Sequence, residues 1–201
     1  MIAVLPGVRV ELATVDTVDV RVVHPTDEQR ARDMSPWRRA EFLAGRALIR
    51  RLLAAVAPQA ENAEVRRDAR GRPELVGWPI GVSVSHDDGV VAAAVAPGGR
   101  VGVDVQRVPA RHSAWLARRL LGRHYRPAVP VSELAWVWTA QEACVKADGT
   151  GLAGRPWQID VAPYARHGRW GAYRWVSLRD SSPVPLSCAV APLEQERKSH
   201  G

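Results

Sequence analysis

Between Val8 and Val23 apolar and polar residues alternate in two stretches, the period of strands with one buried face. The pattern then changes. Thr26-Asp27-Glu28-Gln29 has the form of a capping box and predicts a short helix. Ser35-Pro36 predicts the start of a second, with Ser as N-cap and Pro in the first turn, running to about Ala57 before Pro58 stops it. Its apolar side includes Trp37, Leu43, Ala47 and Leu48. Arg39, Arg46 and Arg50 recur at helical spacing on another side, where a solvated face is the plain expectation. Asp68 to Pro73 is rich in turn residues. Val82-Ser83-Val84-Ser85 alternates strictly, Asp87-Asp88-Gly89 turns into Val90 to Ala96, and Pro97-Gly98-Gly99 turns into Val101 to Gln106. Three strands in an antiparallel meander are expected.

The second half repeats the order of helix, then strands. Ala110 to Arg123 predicts a helix with Trp115, Leu116, Leu120 and Leu121 apolar and Arg118, Arg119 and Arg123 basic. A Pro-containing loop follows, and Ser132 then caps a strong helix to about Asp148, closed by Gly149-Thr150-Gly151. Gln158 to Val161, Arg169 to Leu178 and Pro185 to Ala191 read as strands, and Glu194 to Gly201 as a frayed tail. The expected fold class is α+β, with a hint of a duplicated architecture.

Composition changes this picture little. The chain has 201 residues, 46% hydrophobic and 24% charged, enough for one domain or two small subdomains. Eight Trp stand against one Phe, for which we have no functional account. Lys and Arg exceed Asp and Glu by 28 − 21 = 7, and a basic protein attracts polyanions. No run of five or more basic residues occurs, so a nucleic-acid tail is not indicated. Cys144 and Cys188 lack metal-ligand spacing and read as buried reduced thiols. Glu11, Asp16 and Asp19 interrupt any leader-like stretch, and no run approaches membrane-spanning length. A cytoplasmic protein with no membrane and no nucleic-acid partner is expected.

Three short segments carry candidate chemistry. In Gly102-Val103-Asp104-Val105-Gln106, strand alternation sends the valines to the core and puts Asp104 and Gln106 on the other face, beside a glycine that admits close approach. A carboxylate and an amide oxygen are hard donors, although a solvent-facing acid on a strand is the commoner case. In Trp138-Thr139-Ala140-Gln141-Glu142-Ala143-Cys144-Val145-Lys146, helical spacing aligns Trp138, Glu142 and Lys146 on one face. A simple Glu–Lys surface pair fits poorly with Trp on that face. In Ser83-Val84-Ser85-His86, Ser and His at a strand end can hold a phosphate. They are not a hydrolase pair, because adjacent strand residues face opposite sides.

The ordered set Gly-Arg-Pro, Val-Ser-Val-Ser-His, Gly-Val-Asp-Val and Trp-Thr-Ala-Gln-Glu-Ala-Cys-Val-Lys-Ala-Asp-Gly-Thr-Gly-Leu resembles the 4′-phosphopantetheinyl transferases of the larger, single-chain surfactin-synthetase-activating type. The likeness covers roughly Ser35 to Val161, with a plausible last strand at Val184 to Ala191. It implies two similar α/β subdomains related by a pseudo-twofold, here 1–100 with the nucleotide contacts, 101–193 with the metal site and catalytic helix, and a tail at 194–201. It implies transfer of the phosphopantetheine arm of coenzyme A to a serine of an acyl or peptidyl carrier protein, with 3′,5′-ADP released and Mg²⁺ (or Mn²⁺) required, by a monomer. Asp104 and Glu142 match the metal carboxylates, with Gln106 as a third ligand. Lys146 matches the lysine at the pyrophosphate, and Glu142 is also the candidate base. Ser85 and His86 match contacts to the nucleotide phosphates, and Arg46 and Arg72 matching basic positions near the 3′-phosphate or adenine. The helix bearing Arg118, Arg119 and Arg123 is a candidate docking surface for the acidic carrier, or equally a packed helix with solvated arginines.

Two departures stand out. Gln106 replaces an acid found in many members, and Gln141 replaces a lysine. They lend weight to an alternative, a member that binds coenzyme A without transferring it and acts as a scaffold or regulator.

Overall fold

The computed structural model describes residues 1–192. The tail expected at 194–201 lies outside the described residues. Among the described residues ten strands form two antiparallel sheets. The first contains β1 (Ile2–Leu5), β2 (Val8–Thr14), β3 (Val65–Arg67), β4 (Pro73–Leu75), β5 (Ile80–Asp87) and β6 (Val90–Pro97), in the order β1-β2-β6-β5-β4-β3. The second contains β7 (Gly99–Val105), β8 (His167–Trp170), β9 (Tyr173–Ser177) and β10 (Leu186–Pro192), in the order β7-β10-β9-β8. The helices are α1 (Pro25–Ala31), α2 (Pro36–Val56), α3 (Ala114–Leu121) and α4 (Val131–Asp148).

The mixed α+β class is as expected, and the duplication is explicit in the topology. One strand leads through a short and a long helix to a run of antiparallel strands, the last of which returns beside the first: β2, α1, α2, β3, β4, β5, β6 (four strands after the helices), then β7, α3, α4, β8, β9, β10 (three). Helix α2 packs on the first sheet through Leu48, Leu52, Leu53 and their partners Val82, Val91 and Val95, all fully or nearly fully buried. Helix α4 is apolar almost all round because it is nearly enclosed. Its Val137, Ala140, Ala143 and Cys144 pack with Trp175 and Ala189 of the second sheet. A third core lies between the sheets, where Val101, Val103 and Val105 of β7 meet Val10, Ala92 and Ala94. The valine face of β7 is therefore buried as its alternation requires.

Several sequence expectations need correction. The expected three-stranded meander ends after β6: β7 leaves the first sheet and pairs with β10. The stretch after Thr14 is not a strand but two single 3-10 turns, the second closed by Asp19 accepting from the Arg21 N–H at 3.0 Å. A first strand, β1, precedes the first one expected. Helix α1 begins two residues earlier than the capping box suggests, with His24 Nδ1 accepting from the Thr26 N–H at 3.2 Å and Pro25 in the first turn. Ser132 falls inside α4, whose N-cap is Pro130. Residues 158–161 form no strand. Arg46 and Arg50 are not a solvated face but are 5% and 3% exposed, held by the fully buried Asp27 at 3.2 and 3.5 Å. Trp37, expected on the apolar side of α2, is 63% exposed. Gly149 closes α4 in the left-handed region at φ 80°, as a glycine permits. No helix among the described residues is long and apolar enough to cross a membrane.

Candidate active site

Strand β7 is an edge strand, with β10 on one side only. An open edge leaves every second backbone N–H without a ladder partner. Side chains of β5 supply partners. Alternation sends Val82, Val84 and His86 toward α2 and Ser83, Ser85 and Asp87 toward β7. Ser83 Oγ accepts from the Val103 N–H at 3.1 Å, and Asp87 Oδ2 accepts from the Arg107 N–H at 2.6 Å. Between them Ser85 Oγ donates to Asp104 Oδ1 at 2.8 Å. This polar row joins the two sheets.

Lys146 of α4 completes the cluster, donating from Nζ to Asp104 Oδ1 at 2.5 Å and to Ser85 Oγ at 2.9 Å. The contact depends on Gly102. A Cβ there would lie 2.0 Å from the Ala143 carbonyl oxygen and 2.4 Å from the Ala147 nitrogen, so only glycine lets α4 lie directly on β7. Asp104 is 5% exposed. Trp138, Glu142 and Lys146 are each half-buried, a stripe at helical spacing on a mostly enclosed helix. Glu142 keeps Oε1 buried and without a hydrogen-bond partner. Burial, reinforced by the negative charge of Asp104 and opposed by Lys146, pushes its carboxyl above the ordinary value of 4.5.

The sequence-derived metal set is thus partly assembled. Asp104 and Glu142 are brought together from β7 and α4. Gln106 sits just past β7, and its Nε2 donates to Asp87 Oδ2 at 2.7 Å. Among the described residues no group of three or more His, Cys, Asp or Glu gathers as a metal cluster. Two carboxylates, one with an unpartnered buried oxygen, nevertheless fit Mg²⁺, which takes one or two carboxylates and fills its remaining positions with water and phosphate oxygens.

On the opposite face of β5, toward α2, opens a cavity of about 930 Å³. Its wall carries Arg30, Arg38, Arg46, Arg67 and His86, with Trp37 and Phe42 as aromatic surface and Asp33 and Glu41 as acids. His86 Nδ1 is 3.3 Å from Glu41 Oε2. The Arg46 guanidinium lies over the Phe42 ring at 4.9 Å, and burial lowers its pKa to about 10, partly offset by Asp27. Of the residues expected at the nucleotide phosphates, His86 and Arg46 line this cavity. Ser85 does not: it faces Asp104 on the opposite side of β5. Arg72 does not line it either, although its neighbours Gly71 and Pro73 do. Arg72 pairs with Asp68 at 3.3 Å and lies against the Gly149 end of α4.

Sequence reasoning missed Arg30, Arg38, Glu41 and Arg67 on this wall. A usable signal existed in the helical spacing of Arg38, Glu41, Phe42 and Arg46. It also misplaced Gln141. That side chain is fully buried, and its Nε2 donates to the carbonyls of Leu120 and Ile159 at 2.9 Å each. It ties α3 and the 156–159 segment to α4 rather than reaching the Asp104 cluster. Cys144 and Cys188 are free and buried, each pushed up to about 12 by burial, which leaves both thiols unreactive.

Helix α3 is divided. Leu120 and Leu121 are core, while Trp115 and Leu116 are 66% and 38% exposed. Arg119 lies over both the Trp157 and Trp115 rings, at 4.0 and 5.4 Å. Arg123 is paired with Asp160.

Comparison with known proteins adds an independent observation. Residues 26–96 match the family model of the 4′-phosphopantetheinyl transferase N-terminal domain. Among solved structures, a holo-(acyl-carrier-protein) synthase from Bacillus anthracis str. Ames, in complex with CoA (3′,5′-ADP), is similar at 21% identity over 44% of this chain and 92% of that chain, with a TM-score of 0.39. No curated protein sequence matches. The matched segment runs from α1 through β6 and contains Arg46, Arg72, Ser85 and His86, so over this part the chain is similar to the phosphopantetheinyl transferase superfamily.

Proposed function

We propose that the protein transfers the 4′-phosphopantetheine arm of coenzyme A to a serine of an acyl or peptidyl carrier protein, as a single-chain enzyme of the surfactin-synthetase-activating type. The observation that carries this reading is the convergence of Asp104, Glu142, Lys146 and Ser85 from two sheets and one helix, with an arginine-lined cavity on the opposite face of β5. On this reading residues 1–100 hold the nucleotide, and 101–193 hold the metal ligands and the catalytic helix.

The cavity suits the 3′-phosphoadenosine end of coenzyme A. Arg46, nearly buried but still charged below about pH 10, offers a cationic donor to phosphate, His86 offers a ring N–H, and Trp37 offers an exposed ring to a base. Asp104 and Glu142 would hold Mg²⁺, which when bound neutralises charge on the pyrophosphate. Lys146 leaves its ion pair with Asp104 for a pyrophosphate oxygen and stabilises the charge that develops there. Glu142, with its raised pKa and free Oε1, accepts the serine proton directly or through one water. The serine oxygen forms a bond to the β-phosphorus, the bond from that phosphorus to the bridging oxygen breaks, and 3′,5′-ADP leaves with the electron pair. Such a transfer requires alignment and charge neutralisation more than covalent help. The exposed Trp115 and Leu116, flanked by arginines, are the proposed contact for an acidic carrier.

The test is chromatography of nucleotides after incubation with coenzyme A, Mg²⁺ and an apo carrier protein. Release of 3′,5′-ADP only when carrier and metal are both present supports the reading. Release without carrier would instead mark a hydrolase.

A further inference from the structure

The replacement of an acid by Gln106 removes one negative charge from the proposed metal site, yet the structure places another beside it. Asp87 Oδ2 accepts from Gln106 Nε2 at 2.7 Å. The same oxygen accepts from the Arg107 N–H at 2.6 Å. Asp87 belongs to the row of β5 that faces β7, two residues from Ser85, which itself touches Asp104. One strand repeat separates them, about 7 Å. The amide is planar, with one oxygen and one nitrogen. A carboxylate can only accept, so its bond to Nε2 fixes which end of the amide it takes and leaves Gln106 Oε1 free to act as a neutral donor.

We propose that Asp87 and Gln106 form an exchanged pair, in which Asp87 is a positioning residue that orients the Gln106 amide and returns to the site the negative charge Gln106 lacks. The inference rests on the proposed metal-dependent transfer and adds a residue to it. It resembles the general device in which a carboxylate behind a metal ligand fixes that ligand's orientation and raises its donor strength. It also accounts for the sign of the pairing. An acid at 106 would put two carboxylates in contact, whereas an amide there is held by Asp87.

The test is Mn²⁺ binding followed by electron paramagnetic resonance, without coenzyme A or carrier, on the full chain. Asp87→Asn keeps an oxygen acceptor for the Arg107 N–H but removes the charge, and thermal unfolding checks that it folds. Asp87→Asn is expected to weaken Mn²⁺ binding by about 10-fold, the lower end for residues behind a metal ligand. The exchanged protein, Asp87→Asn with Gln106→Glu, is expected to recover to within about 3-fold of the native affinity, because the charge is restored on the other strand. Native affinity in Asp87→Asn, or no recovery in the exchanged protein, would overturn the proposal while leaving carrier modification by the native enzyme intact. A native protein that binds no Mn²⁺ would overturn it together with the metal site itself.

Discussion

Lys146 Nζ lies 2.5 Å from Asp104 Oδ1, joining the long helix of the second half to the strand that separates the two sheets. Asp104 is nearly buried and Lys146 about a quarter exposed, so the pair is a partly desolvated one whose members are each costly to strand alone. Because the same ammonium is the proposed partner of the pyrophosphate, Lys146→Ala is expected to lower kcat for carrier modification by about 10²–10³-fold. Lys146→Arg should recover only part of this, since a planar fork does not replace a point charge between Ser85 and Asp104. Steady-state release of 3′,5′-ADP measures both.

Glu142 gives a pH prediction with a definite sign. Its carboxyl is raised above 4.5 by burial and by Asp104. A raised carboxyl favours the fold in its protonated form, and that contribution is lost as pH rises through the raised value. Glu142→Gln should therefore raise the unfolding midpoint at pH 8 in the presence of EDTA, and the difference should vanish toward pH 4. Calorimetry across that range checks it; a midpoint lowered at pH 8 would mean that the carboxylate is stabilised in the fold.

Gly102→Ala tests the contact between α4 and β7. The added carbon would fall 2.0 Å from the Ala143 carbonyl oxygen, so the helix must move. Overpacking of this kind costs about 1–3 kcal/mol. At about 2–4 °C per kcal/mol for a chain of this size, the midpoint should drop by several degrees. The displacement should also part Lys146 from Asp104, so activity should fall by more than the loss of folded protein explains.

Gln141→Leu separates a structural residue from a site residue. The amide nitrogen bridges two buried carbonyls, and leaving them unpaired costs about 1–3 kcal/mol each in the worst case. The variant should unfold at lower temperature yet keep the native KM for coenzyme A. A raised KM with an unchanged midpoint would put Gln141 at the phosphates instead.

The two long helices could be read from the chain because both local rules hold there: Pro36 opens α2 and Pro58 follows it, and Gly149 closes α4. Strand and helix periods put Asp104 and Gln106 on one face of β7 and align Glu142 with Lys146, while their joint role comes from the resemblance; the structure brings Asp104 and Lys146 into contact. Two things escaped. The departure of β7 from the first sheet escaped because the turn Pro97-Gly98-Gly99 has the same local chemistry whether the next strand pairs backward or crosses to another sheet; the choice is made by Ser83 and Ser85, far away in the chain. The burial of Arg46 and Arg50 escaped because the partner, Asp27, lies on another helix and no helical period reports it. Asp87 was read as a turn residue for a similar reason, since its partners Gln106 and Arg107 belong to the far sheet.

The most direct test of the account is intact-protein mass spectrometry of a small apo carrier protein after incubation with this protein, coenzyme A and Mg²⁺, with and without EDTA. The account predicts a metal-dependent gain of one phosphopantetheine arm on the carrier, lost with Glu142→Ala. No gain on several unrelated carriers, with coenzyme A still bound, would contradict it and leave a coenzyme A-binding protein that does not transfer.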